Sequence, residues 1–342
     1  MDKQEKLLEL KNVVFSFRTY AGVVQSVRDV SFDVRKGEIL GIVGESGCGK
    51  SVTVQSILRL NPEPPGFFGG GEIIYKGQNL LELSEKEMRK IRGKEIGFIF
   101  QDPMTSLNPT MRVGAQIEEV FLGETSVSKK EVKEKALNIM RMVGISDVER
   151  RYRQYPHELS GGMEQRVMIA IALVSQPSLI ICDEPTTSLD VTIEAQILDL
   201  LLELREKFGT SIIMITHDLG VIAKLCDRVV VMYGGKVVEQ GTVEEIFYET
   251  SHPYTKGLMN SIARLDMSRE DTLTPIEGTP PDLFAPPKGC PFAARCEYAM
   301  DVCYEYPPER SVLSEEHVAS CWLHHEFAPK VDLRTGGRKH DE

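Results

Sequence analysis

The chain has 342 residues, 42% hydrophobic and 27% charged, with 40 Lys and Arg against 51 Asp and Glu for a net charge of −11. That length suits about two domains; the composition excludes general disorder, and the acidic balance argues against a nucleic-acid coat, whose phosphate contacts fall to Lys and Arg. No apolar run approaches the roughly 18–20 residues of a membrane-spanning helix, and the opening MDKQEKLLEL is charged and lacks the apolar core of a secretory signal, so the cytoplasm is the expected location.

In chain order, residues 7–17 and 27–34 are the first strand-like runs; Val30, Phe32 and Val34 alternate with polar neighbours, the period of a sheet with one buried face. Residues 39–43 form a short apolar run ending at a glycine, and a helical pattern follows over 50–60, making a strand, loop, helix unit. The runs 96–100, 179–182 and 211–216 are short and apolar throughout, as inner strands of a mostly parallel sheet are. Helical patterns at 85–91, 129–143, 163–174 and 193–208 fall between them, so the chain reads as α/β. Gly234-Gly235, between two valine-rich runs in 228–241, signals a hairpin. Beyond His252-Pro253 the texture changes: eight of the eighteen prolines lie between Pro275 and Pro308, the mark of a loop-rich module, and the residues after about 330 are polar enough to fray.

Residues 44–51, GESGCGKS, fit the phosphate-loop pattern G-x-x-x-x-G-K-[ST], set between a predicted strand and a predicted helix as that motif requires. The glycines let backbone N–H groups approach phosphate oxygens, the helix start adds partial positive charge, Lys50 offers an ammonium to the β- and γ-phosphates, and Ser51 offers a hydroxyl to Mg²⁺. An incidental lysine in a glycine-rich turn would not explain the flanking pattern. The apolar run 179–182 ends in Asp183-Glu184-Pro185: Asp183 is placed for the magnesium shell and Glu184 to polarise an attacking water. In isolation such a carboxylate pair is as often a solvated turn. Gln101 and His217 also follow apolar strands, and ligands of parallel sheets gather at the carboxyl ends of strands. Gln101 is therefore assigned to the metal and the attacking water, and His217 to the γ-phosphate; either alone would read as structural. The run Leu159-Ser160-Gly161-Gly162-Met163-Glu164-Gln165 opens a helix with Ser160 as expected N-cap and two glycines exposing donors suited to an anion. Alone it is a capped helix start.

Taken together and in this order, GESGCGKS, Gln101, LSGG, LIICDE, Ser188-Leu189-Asp190 and His217 resemble the Walker A, Q-loop, signature, Walker B, D-loop and switch motifs of the ABC ATPase family, over about residues 5–250. The resemblance implies an ABC-type P-loop NTPase: a RecA-like mixed sheet core, an antiparallel β subdomain and a helical subdomain at about 104–175, followed by a C-terminal module over 251–330 and a tail over 331–342. It implies ATP and Mg²⁺ as ligands, with Gly44, Ser46, Gly47, Cys48, Gly49, Lys50, Ser51 and Val52 binding ATP, and Ser51, Gln101 and Asp183 at the metal. It also implies a head-to-tail dimer, in which Ser160, Gly161 and Gly162 of one subunit complete the γ-phosphate site on Lys50 of another, with Asp190 in the D-loop. An upstream aromatic often stacks on adenine in this family, a place for Tyr20 or Phe17. Met163 departs from the widest form of the signature, which has Gln there, and supplies no side-chain amide.

Residues 100–109 (FQDPMTSLNP), Met163 and His252-Pro253-Tyr254-Thr255 narrow the resemblance to ATPase subunits of dipeptide and oligopeptide importers. It implies two transmembrane permease partners, a solute-binding protein beyond them, no nucleic acid, and a peripheral position on the cytoplasmic membrane face. Residues 104–120 are the expected permease-docking stretch, or else an ordinary connecting loop and helix. The same motor serves oligosaccharide or other importers. A DNA-repair ABC ATPase would insert a long coiled coil between Walker A and signature, a ribosomal one would usually carry two cassettes, and a phosphate-loop kinase would lack LSGG.

Of seven cysteines, Cys48, Cys182 and Cys226 are scattered and read as buried or incidental thiols. Cys290, Cys296, Cys303 and Cys321 are crowded, separated by five, six and seventeen residues, where a reducing compartment disfavours disulfides and favours metal or cluster ligation. In the importer subfamily such a tail can hold a [4Fe–4S] cluster. Four thiolates suit a cluster or tetrahedral Zn²⁺; the paired knuckles of zinc ribbons are missing, which ranks the cluster first. His317, His324 and His325 admit a mixed zinc site or are solvated loop.

Overall fold

The structure is a computed structural model that describes residues 5–122, 128–185, 191–261 and 275–334. Its strands in chain order are β1 Lys6–Thr19, β2 Gly22–Arg35, β3 Ile39–Val43, β4 Gly66–Tyr75, β5 Gln78–Asn79, β6 Ile96–Ile99, β7 Leu179–Asp183, β8 Ser211–Ile215, β9 Arg228–Tyr233, β10 Lys236–Thr242, β11 Ser311–Val312 and β12 Val318–Ala319. The chain folds into two compact units, one from Met1–Lys6, Val34–Glu38 and Glu82–Ile215, the other from Leu7–Asp33, Ile39–Leu81 and Thr216–Glu342.

In the first unit β6, β7 and β8 run parallel, with Phe98 opposite Ile181 and Ile181 opposite Ile213. Every residue of β7 and β8 is buried, which is why both read as unbroken apolar runs rather than alternating ones. The helix Gly161–Leu173 lies so close to β6 that a Cβ on Gly97 would stand 2.5 Å from the Ala172 carbonyl oxygen. The helices Glu85–Ile91 and Lys129–Met142 both start in capping boxes, Ser84 with Glu87 and Ser128 with Glu131, each satisfying donors that the helix itself leaves unpaired.

The second unit holds an antiparallel sheet of order β2-β1-β4-β5 and the run β11-β12-β10-β9-β3. In that run β3 and β9 are parallel, with Ile42 opposite Val230, and β9 turns back into β10 through Gly234 and Gly235 at φ 54° and 78°. The strand β4 is not among the elements expected from the sequence; Gly69-Gly70-Gly71 interrupts its apolar pattern. Its glycines permit close pairing with β1: a Cβ on Gly71 would lie 2.5 Å from the Asn12 carbonyl oxygen, and one on Gly69 2.8 Å from Val14 Cγ1. Among the described residues no helix is long and apolar enough to cross a membrane.

Candidate functional site

The second unit carries the phosphate loop. The strand β3 ends at Val43, fully within the core, and the helix Lys50–Ile57 starts after Gly49, so the eight-residue motif spans the gap between them. Gly44 and Gly49 have φ of 152° and 97°, and a Cβ on either would meet a backbone carbonyl, Met232 at 2.2 Å or Ser26 at 2.3 Å. Only glycine fits both the conformation and the space. Lys50 is 6% exposed and donates from Nζ to the carbonyls of Gly44 and Glu45 at 2.7 and 3.0 Å; Ser46 and Gly47 are exposed, while Ser51 and Val52 are half-buried. Cys48 is buried beside Lys50, and burial raises its thiol pKa against the lowering pull of the ammonium. The Glu45 amide donates to Tyr254 Oη at 2.8 Å. Tyr254 packs at a tilt against Tyr233 and Phe292 at centroid separations of 4.5 and 5.3 Å, an aromatic cluster that motif reading missed. The tetrapeptide HPYT was its one sequence signal.

His217 is exposed in the turn ahead of the helix Leu219–Leu225, whose N-cap Asp218 accepts from Gly220 N at 2.7 Å. Tyr20 stands fully exposed at the β1–β2 turn, whereas Phe17 is half-buried and packs edge-on against Phe15 at 5.2 Å. Of the two aromatics, Tyr20 alone presents an open ring face.

The acidic residues belong to the first unit. Asp183 closes β7 and is 3% exposed. Glu184 follows at φ 48°, a left-handed conformation rare outside glycine, with its amide donating to the Ile215 carbonyl at 3.0 Å. Held strain of this kind collects at functional sites. Gln101, at the end of the β6 segment, donates from Nε2 to Glu184 Oε2 at 2.9 Å, so the structure joins two residues that lie 83 positions apart. Ser160 occupies the N-cap of Gly161–Leu173 with extended backbone, but its side chain makes no capping bond. The helix start is tied instead by the Ser160 carbonyl, which accepts from Met163 and Glu164 N at 2.8 and 2.9 Å. Gly161 is exposed with nothing within 4 Å of a Cβ, and Gly162 is half-buried. Ser188, Leu189 and Asp190 lie outside the described residues.

The expectation of an iron–sulfur cluster is corrected. Among the described residues no group of three or more His, Cys, Asp or Glu is placed to hold a metal ion; Cys290, Cys296, Cys303 and Cys321 are free thiols. Burial pushes Cys290 to about 12, Cys296 to about 11 and Cys321 to about 12, each raised further by neighbouring thiols. Backbone contacts organise this region: Cys290 N donates to the Cys303 carbonyl at 2.7 Å, and a Cβ on Gly289 would lie 2.2 Å from that oxygen. Cys290 and Cys303 are buried there while Cys296 and Cys321 are half-buried, and the zinc alternative finds no ligand set among the described residues either. His317 is likewise neither ligand nor solvated loop; it is 3% exposed and pairs through Nε2 with Glu239 Oε1 at 2.7 Å.

A family profile described as "ABC transporter" matches residues 27–187, and one described as "Oligopeptide/dipeptide transporter, C-terminal region" matches residues 238–303. The oligopeptide transport ATP-binding protein OppD of Bacillus subtilis (strain 168) is 56% identical over 97% of this chain and 93% of its own length. The dipeptide transport ATP-binding protein DppD of the same organism is 54% identical over 96% of this chain and 98% of its own. Among solved structures, the dimeric bacterial ABC transporter cassette MJ0796 is 30% identical with a TM-score of 0.62, covering 69% of this chain and 98% of that one.

Proposed function

The chain belongs to the ATP-binding proteins of oligopeptide and dipeptide ABC transporters, and from that premise we propose how its residues bind and hydrolyse ATP to drive transport. Gly44, Ser46, Gly47, Cys48, Gly49, Lys50, Ser51 and Val52 hold the triphosphate, with Lys50 turning its ammonium from the loop carbonyls to the β- and γ-phosphate oxygens. Tyr20 takes the adenine face. Ser51 and the buried Asp183 are hard oxygen donors of the kind Mg²⁺ accepts, and that ion needs only one or two protein ligands beside phosphate and water. When bound, it offsets the charge on the phosphate oxygens. Glu184 orients and polarises the water that attacks the γ-phosphorus, Gln101 fixes the Glu184 carboxylate and meets the metal shell, and His217 steadies the γ-phosphate through bond cleavage to ADP and phosphate.

The partners belong to the same proposal. A second ABC ATPase subunit, identical or sister, supplies Ser160, Gly161 and Gly162 to the nucleotide held on Lys50, and Asp190 belongs to the D-loop. Two transmembrane permeases, contacted through residues 104–120, convert closure and parting of the ATPases into import, fed by a solute-binding protein. The chain then sits peripherally on the cytoplasmic face of the membrane. Residues 1–250, with a helical subdomain at about 104–175, form the ATPase domain; 251–330 form the importer-type module and 331–342 its tail.

The observation that carries the hydrolytic reading is the Gln101–Glu184 hydrogen bond at 2.9 Å, made to a carboxylate on a strained backbone. Glu184→Gln removes the carboxylate but keeps its shape, and it should lower turnover by about 10²–10⁴-fold while nucleotide affinity stays close to wild type. Single-turnover phosphate release beside equilibrium nucleotide binding measures both. Normal turnover in that variant would strip Glu184 of its role.

A further inference from the structure

The phosphate loop is tied to a residue 250 positions downstream. Arg295 donates from Nη1 to Glu45 Oε2 at 2.7 Å and from Nη2 to Glu45 Oε1 at 3.1 Å, a two-pronged carboxylate grip that a lysine cannot copy. Its other donors are also used: Nη1 to Tyr233 Oη at 3.0 Å, Nη2 to the Ile276 carbonyl at 2.9 Å and Nε to the Glu277 carbonyl at 2.8 Å. All five N–H groups of the guanidinium are thus satisfied, and the side chain is 6% exposed. Burial alone would lower its pKa, yet the bonds to Glu45 and Tyr233 outweigh that effect and raise it, so the charge is permanent. Glu45 is held at three points: its carboxylate by Arg295, its amide by Tyr254, and its carbonyl by Lys50.

The same C-terminal stretch touches the structures around the loop elsewhere. Gln25 N donates to the Leu283 carbonyl at 2.9 Å and Arg28 Nη2 to the Pro287 carbonyl at 3.0 Å. A Cβ on Gly234 would stand 3.0 Å from Pro291 and 3.1 Å from Pro281, and the amide of the next residue, Gly235, donates to the Cys48 carbonyl at 3.0 Å. The segment 276–296 therefore lies against the hairpin and the strand that shape the phosphate loop.

We propose that Arg295 is a positioning residue for nucleotide, acting through Glu45 to fix the phosphate loop, so that nucleotide binding and the order of segment 276–296 are thermodynamically linked. This rests on the ATP-binding reading above. When Lys50 turns from the carbonyls of Gly44 and Glu45 to phosphate, the loop loses two internal bonds at the moment it must hold its shape. A side chain that is already bonded at five points and grips Glu45 from outside the loop supplies that restraint beforehand, which spares the ordering cost otherwise charged to binding. Linkage is reciprocal: what Arg295 lends to nucleotide affinity, nucleotide returns as protection of 276–296.

The test uses the full chain with Mg·ADP as the probe, in calorimetric titration and in amide hydrogen exchange. Wild type should show slowed exchange across 276–296 when ADP is added. Arg295→Lys, which keeps the charge and loses the fork, should weaken ADP binding roughly 10- to 150-fold, the range of one charge-assisted hydrogen bond, and abolish the ADP-dependent slowing. Glu45→Gln should shift both in the same direction, and the double variant should be no weaker than the worse single. If Arg295→Lys loosens 276–296 so far that exchange is fast without ADP, Glu45→Gln decides the matter, because its C-terminal segment keeps Arg295. Unchanged ADP affinity in the deciding variant, additive losses in the double, or wild-type exchange indifferent to ADP would each overturn the proposal. Failure of wild type to bind ADP at all would instead remove the ATP-binding reading beneath it.

Discussion

Gly49→Ala should cost much more folding stability than Gly47→Ala, two positions away in the same loop. Both glycines have positive φ, 97° and 77°, and forcing an L-residue into that region costs roughly 1–2 kcal/mol at either site. The surroundings separate them. At Gly47 a Cβ meets nothing within 4 Å, whereas at Gly49 it meets the Ser26 carbonyl oxygen at 2.3 Å, well short of the 3.4 Å at which ordinary contact starts. That oxygen is backbone within β2, so no rotamer change relieves the overlap, and overpacking of this kind adds about 1–3 kcal/mol. The expected loss is about 2–5 kcal/mol at Gly49 against about 1–2 at Gly47, out of the roughly 5–15 kcal/mol a domain commands. Urea unfolding without nucleotide reads the difference as a shift in midpoint at constant slope. Equal midpoints for the two variants would refute the claim that close backbone approach, rather than φ alone, demands glycine at position 49.

His252 is 1% exposed, and burial drives its pKa down to about 3, helped by nearby His324. The folded state therefore keeps the ring neutral while the unfolded chain protonates near 6.5. Stability from this residue is complete above that pH and falls as pH drops toward 3, by at most about 1.4 kcal/mol per pH unit. Replacing His252 with Asn, whose side-chain oxygen can accept from Tyr254 N as Nδ1 does, should flatten that part of a stability-against-pH curve; an unchanged slope would place the titration elsewhere. Protein purified without oxygen should be colourless with neither iron nor zinc in stoichiometric amount, and Cys290, Cys296, Cys303 and Cys321 should react with a thiol reagent once the chain is unfolded. Stoichiometric metal would reinstate a ligand set.

The parallel strands were legible because burial on both faces leaves no polar alternation: β3, β7 and β8 are buried at every position and stood out as short apolar runs. The helix Glu85–Ile91 was legible to the residue from its helical pattern, and the structure adds the capping box of Ser84 and Glu87 at its start. By contrast, His252-Pro253 marked a change of texture in the sequence and opens a helix, Pro253–Asn260, in the fold. Proline is suited to a first helical position, where its missing donor costs nothing, and His252 Nδ1 accepts the Tyr254 amide at 3.0 Å; neither fact has a periodic signal. The strand β4 was hidden because Gly69-Gly70-Gly71 interrupts its apolar pattern.

The candidate site divided in the same way. Gln101, Asp183, Glu184 and His217 each stand at or just after the end of a strand and were singled out by that position, and the structure brings Gln101 and Glu184 within hydrogen-bond distance. The Arg295–Glu45 clamp was not legible, since one acidic loop residue and one arginine 250 positions away share no pattern. The cysteine spacing misled because four thiols in a short stretch satisfy a motif whether or not they form a metal-holding group, and among the described residues none is formed.

The most direct measurement is phosphate release from ATP with magnesium by the chain paired with its second ATPase subunit, identical or sister, run beside Lys50→Ala in the same pairing. Wild type should turn ATP over, and the variant, stripped of the ammonium proposed to meet the β- and γ-phosphates, should lose about 10²-fold or more. No hydrolysis by wild type, or equal rates in the two proteins, would contradict the account.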